Sequence, residues 1–174
     1  GLAFVSGDGV DGKPEGFLTA ADTGYLGSNG IETITSGTND ALEADDFIDV
    51  YYALKDFYAR RGTWVMKRST IKAARKLVEN TTGNYIWQPG LAGLAPATIL
   101  DRPYVEAVDM PAIANGALAV AFGDFSRYWI VDRVSVETLR DPYTQGPSFV
   151  RYWARKRVGG QVVLPEAFKF LKIQ

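Results

Sequence analysis

Ala41-Leu-Glu-Ala-Asp-Asp-Phe-Ile-Asp-Val-Tyr-Tyr-Ala-Leu-Lys-Asp-Phe-Tyr-Ala-Arg-Arg61 carries the longest helical pattern in the chain, and its contrast with the strand-rich residues downstream decides the fold class. Phe47, Val50, Tyr51, Leu54 and Tyr58 fall at i, i+3, i+4, i+7 and i+11, one stripe along a helix. Glu43, Asp45, Asp46 and Asp49 crowd the first half and Arg60-Arg61 close it, the order a helix dipole favours. Gly62 comes next as a stop. The spacing predicts one helix from about Ala41 to Arg61.

Downstream, Thr63-Trp-Val-Met-Lys67 reads as a short buried strand and Ser69 to Asn80 as a second helix with Ile71, Ala74, Leu77 and Val78 inward. Asn80–Asn84 is a turn, and Tyr85–Thr98 mixes Gly and Pro with apolar residues, as an ordered, exposed loop does. Strand patterns then dominate: Tyr104–Ala107, Leu118–Phe122, Tyr128–Val131, Val134–Leu139, Phe149–Val158, Gln161–Leu164 and Phe168–Ile173, with a break at Arg140–Pro147. Upstream, Gly1–Asp40 is rich in Gly, Asp, Ser and Thr and reads as loop with short strands. Helices early and strands late favour an α+β fold over alternating βαβ units.

The 174 residues are 47% apolar and 13% aromatic, enough for a real core and far from a disordered composition. No apolar run reaches transmembrane length, and no signal peptide opens the chain. The absence of cysteine and histidine removes disulfides, thiolate chemistry, Ser-His or Cys-His catalysis and the commonest zinc ligands. The net charge is only −1, yet the charges are segregated: ten acids and one base through Val50, ten acids and eighteen bases after it. Such segregation favours contact between oppositely charged surfaces of neighbouring copies.

Gly7-Asp-Gly-Val-Asp-Gly12 matches G-x-G-x-x-G, but Lys13-Pro-Glu-Gly16 stands where a phosphate site needs a helix to open, so it reads as a turn. Asp45, Asp46 and Asp49 share a helix region and could approach one divalent ion; without a second ligand cluster they read as an acidic helix start. No catalytic, cofactor or metal site is predicted. In Phe149–Val158, alternation places Arg151, Trp153, Arg155 and Arg157 on one side. That face suits a subunit interface, a solvated sheet surface or, by stacking and phosphate contact, nucleic acid.

Several blocks then occur in order: Trp64-Val-Met-Lys-Arg-Ser-Thr70, Gly83-Asn-Tyr-Ile-Trp-Gln-Pro-Gly90, Ala121-Phe-Gly-Asp-Phe125, Ile130-Val-Asp-Arg133, Leu139-Arg-Asp-Pro-Tyr143, Arg157-Val-Gly-Gly160 and Glu166-Ala-Phe-Lys-Phe-Leu171. Together with Pro14-Glu-Gly-Phe-Leu18 upstream, they resemble the major capsid proteins of tailed phages, the Hong Kong 97 type of shell fold. The resemblance covers nearly the whole chain. It implies a structural subunit of a phage or prophage icosahedral shell that self-assembles into pentamers and hexamers around a genome, not an enzyme. A fold-preserving alternative is an encapsulin-like compartment, and a remoter one a small non-viral binding domain.

The resemblance implies a loop-rich segment at 1–40, an axial domain at 41–135, peripheral-domain strands and loop at 136–160, and strands at 161–174 completing the sheet. The family's N-terminal arm, extended loop and spine helix have no counterpart in this stretch. It places Gln88, Pro89, Leu91, Leu94 and Pro96 in a loop meeting its mates at the capsomer centre, with packing back on its own domain as the competing reading. It places Arg140, Asp141 and Tyr143 in a loop near threefold positions, where a simple β-turn competes. Tyr152 stands where some relatives carry a cross-linking asparagine, so no isopeptide bond is expected. Lys67 stands where relatives often carry an asparagine helix cap. The implied partners are other copies, a scaffold or maturation protease, and at most non-specific contact with packaged DNA, with no membrane. The implied location is the virion capsid, assembled in the host bacterial cytoplasm.

Overall fold

A computed structural model of the chain describes residues 1–21, 30–78, 86–87, 98–141, 143 and 149–174. In chain order its elements are α1 (Leu2–Ser6), β1 (Thr33–Thr35), α2 (Ala44–Ala53), α3 (Asp56–Ala59), β2 (Thr63–Met66), α4 (Arg68–Arg75), β3 (Thr98–Ile99), β4 (Arg102–Glu106), β5 (Leu118–Gly123), β6 (Tyr128–Asp141), β7 (Arg151–Val162) and β8 (Phe168–Lys172). Six strands form one mixed sheet in the order β1-β8-β5-β2-β4-β3, while among the described residues β6 and β7 form a separate two-stranded sheet. β1 with β8 and β2 with β4 run parallel; the remaining pairs are antiparallel.

Period-two alternation splits the core into two layers. Trp64 and Met66 face one side of the sheet with Val120 and Phe122, where Trp64 stacks on Phe122 at 4.2 Å between ring centres. Onto this side pack Phe47, Val50 and Leu54 from the first helical region and Ile71 and Ala74 from α4. Val65, Ala121, Phe168 and Phe170 face the other side, against Val5, Phe17, Leu18, Ile31 and Met110. Glycine-rich residues 1–18, expected as loop, thus contribute a short helix and core side chains. Gly7–Gly12 does close as a turn: Asp8 bridges Glu15 across it, and Gly9, Asp11 and Gly12 have positive φ.

The long helix expected over 41–61 is two pieces. The backbone turns extended at Leu54 (ψ 137°) and Lys55 (ψ 138°) before α3 begins. No Gly or Pro causes this; tertiary contacts do. Leu54 sinks into the core, and Glu166, next to β8, accepts from Lys55 Nζ at 2.5 Å and from Tyr58 Oη at 2.8 Å. Those two hydrogen bonds, Lys55 first, hold the Glu166 carboxyl below the ordinary carboxylate range. Gly62 is also not the left-handed stop expected: its φ is not positive, and a Cβ there would lie 2.4 Å from Cζ of Phe122. Close ring packing, not turn geometry, requires glycine. Asp46 serves the start of α2, accepting the Glu43 N–H at 2.8 Å and the Gly37 N–H at 3.0 Å.

α4 ends at Arg75, five residues short of the expected limit, and Lys67 is its N-cap without a side-chain cap bond. The strand readings 128–131 and 134–139 merge into the single β6, and 149–158 with 161–164 merge into β7. Gly159 and Gly160 remain in the ladder, opposite Val131 and Ile130. The turn read at 80–84 lies outside the described residues.

Candidate subunit interface

β6 and β7 form a ribbon, 14 and 12 residues long, whose register is fixed from Tyr128↔Val162 to Asp141↔Arg151. Two irregularities, between Asp132/Val134 and Val134/Glu137, each insert one extra residue on β6. The two insertions cancel in parity, so Trp129, Val131 and Leu139 stay on the side that carries Trp153. The opposite side carries Ile130, Thr138 and Tyr152. Trp129, Ile130, Val131, Leu139, Tyr152 and Trp153 are all more than half exposed.

Among the described residues, the ribbon's anchoring contacts lie at its root. Val162 is buried there, and Tyr128 makes edge contacts with Phe4 and Phe17, each at 6.4 Å. Tyr128 Oη donates to the Glu15 carbonyl at 2.7 Å, and the Glu15 N–H donates to the Gly160 carbonyl at 2.9 Å. Burial, helped by the Glu15 charge, pushes the Tyr128 phenol up to about 12. Gly160 is needed by close approach, since a Cβ would sit 2.6 Å from Tyr128 Oη.

Toward the tip, the four residues singled out on β7 lie on one continuous strand at alternate positions. The Arg151 guanidinium sits 5.3 Å over the Trp153 ring, and Arg155 Nε is 2.5 Å from Glu137 Oε2 across the ladder. Arg157 is exposed opposite Val134 in the register. On the other face Lys156 pairs with Asp132 at 2.8 Å. Arg140 and Asp141 end β6, and Asp141 Oδ1 accepts the N–H of Tyr143, which is 92% exposed. Gln88, Pro89, Leu91, Leu94 and Pro96 lie outside the described residues.

A two-stranded ribbon is marginal in water, and contiguous exposed apolar surface marks a contact site. Reading Tyr128–Val131 as an ordinary strand missed this. The available signal was Trp129-Ile-Val131, three apolar residues in a row, which must show apolar side chains on both faces of any strand.

A family model described as the phage capsid family matches residues 1–173. The chain belongs to this family. Its fold is the Hong Kong 97-type α+β capsid fold. Among solved structures, the capsid chain is similar to the capsid of an empty GTA particle computed with C5 symmetry, at 38% identity and a TM-score of 0.85 over 99% of this chain and 60% of that one. A chain of Mycobacterium phage Ogopogo matches at 14% identity and TM-score 0.60, over 99% and 59%. The holo-SrpI encapsulin complex from Synechococcus elongatus matches at 13% and 0.55, over 91% and 56%. The last two likenesses concern fold alone. No curated protein matches. The capsid chain thus spans about 60% of the length of the GTA capsid chain it resembles.

Proposed function

We propose that this chain is part of the structural subunit of an icosahedral phage or prophage shell, which self-assembles into pentamers and hexamers enclosing the genome. The observation that carries this reading is the β6–β7 ribbon, which exposes large apolar side chains on both faces: Trp129, Val131, Leu139 and Trp153 on one, Ile130 and Tyr152 on the other. Covering one large apolar side chain contributes about 1.5–3 kcal/mol. Repeated around a closed symmetric assembly, such contacts add up without any one being strong.

In this reading the six-stranded sheet with its helices is the axial part and the ribbon the peripheral part. The loop through Gln88–Thr98 gathers at the capsomer centre. Arg140, Asp141 and Tyr143 stand near the threefold positions, which the exposure of Tyr143 supports. The assembled protein is located in the virion capsid, built in the host bacterial cytoplasm with a scaffold or maturation protease. Likeness to an encapsulin is at the level of fold, whereas the 38% identity is to a GTA capsid, so the phage-type shell is preferred.

The test is Leu139→Ser with Trp153→Ser in the protein at its complete length. Both side chains are already solvent-exposed, so the thermal midpoint should stay within a few degrees (surface changes are worth about 0.5 kcal/mol or less). Particle yield should collapse. Full particle yield from the double variant would contradict the proposal.

A further inference from the structure

α2 and α4 lie side by side over one face of the six-stranded sheet: Phe47 and Ala74 join the same core cluster, and Ile48 and Leu77 line one cavity between them. α2 leans toward β8 and β5, with Tyr51 against Phe122 at 5.6 Å between ring centres. α4 leans toward β4, where Arg75 Nη2 donates to Tyr104 Oη at 2.7 Å. Each helix therefore presents its own outward face, opposite the side it buries.

The two faces differ in sign. On α2, Tyr52 is an exposed large aromatic residue and Asp45 and Asp49 are exposed on the same outward face, whereas around α3 Lys55, Arg60 and Arg61 are exposed beside Asp56, so that α3 is not acidic. On the α4 side, Arg68, Lys72 and Lys76 recur every four residues as one exposed stripe, and no acid occurs from Arg68 to Lys76. Among the described residues, Asp45, Asp49, Arg68, Lys72 and Lys76 have no ion-pair partner. Arg68 also stands in the first turn of α4, where the positive end of the helix disfavours a cation. Its charge does not serve its own helix.

We propose that the acidic outward face of α2, with Asp45, Asp49 and Tyr52, on one copy docks against the basic face of α4 on a second copy. The proposal rests on the shell reading above and names one of its contacts. Two different patches in contact make a head-to-tail interface, the kind that closes into a ring when the rotation per copy allows. Opposite charges bring the two faces together and fix their register, while Tyr52 supplies apolar area to bury.

Asp45→Lys with Asp49→Lys, and separately Arg68→Glu with Lys72→Glu, are to be made in the complete protein and association read by sedimentation velocity. Each pair should weaken association by about tenfold or more. The four changes together should bring it back to within about threefold of the unaltered protein. As a readout needing no variant, carbodiimide treatment of the assembled protein should join Asp49 or Asp45 to Lys72 of another copy, identified by mass spectrometry. If the protein assembles but charge reversal leaves association unchanged, or the cross-link is missing, this contact is wrong and the shell reading stands. Persistent monomers of the unaltered protein would overturn both.

Discussion

Trp64 shows how much one side chain decides in this fold. It is fully buried, stacked on Phe122, edge-on to Phe47 at 5.4 Å, and its Nε1–H donates to the Ile99 carbonyl at 3.0 Å. Trp64→Ala should cost about 3–5 kcal/mol. Trp64→Phe keeps a ring but strands that carbonyl, and should cost about 1–3 kcal/mol, both read by urea unfolding. Tyr128 offers a second test. Its folded-state value is raised, so its contribution to stability is complete below the ordinary tyrosine range and is lost as pH rises through about 12. Ultraviolet titration of the folded chain should show a late phenol near pH 12 that Tyr128→Phe removes. The Trp64 strand was legible from composition; the Tyr128 anchor was not, because its partner Glu15 is 113 residues away and bonds through its backbone.

At the scale of elements, sequence patterning worked wherever one face of an element meets the core. β2, β5 and β8 fall where alternation and apolar content place them, and α2 presents the expected Phe47 and Val50. Patterning failed where tertiary contacts override local preference. The break at Leu54–Lys55 follows from Glu166, far along the chain, and the merging of β6 from two bulges that periodicity reads as an interruption. The charged stripe of β7 was legible, but not that Arg155 and Lys156 are already paired across the ladder. The ribbon's thin support also carries a dynamic prediction. In the isolated chain, amides from about the middle of β6 to the middle of β7 should exchange with solvent far faster than those of β2, β5 and β8. In assembled particles the same ribbon amides should become protected. Equal protection of ribbon and central sheet in the isolated chain would mean that the ribbon is stable without a cover.

For the molecule as a whole, the two sheets divide the labour. The six-stranded sheet, with an apolar layer on each face, holds itself together. The ribbon exposes large apolar side chains on both of its faces. Segregated charge and membership of the phage capsid family accord with the proposed shell subunit. The most direct test is to express the protein alone at its complete length, size it by light scattering and image it by negative-stain electron microscopy. The account predicts rings of five or six copies, or closed shells. A protein that stays monomeric at high concentration, with and without its own scaffold or protease, would contradict it.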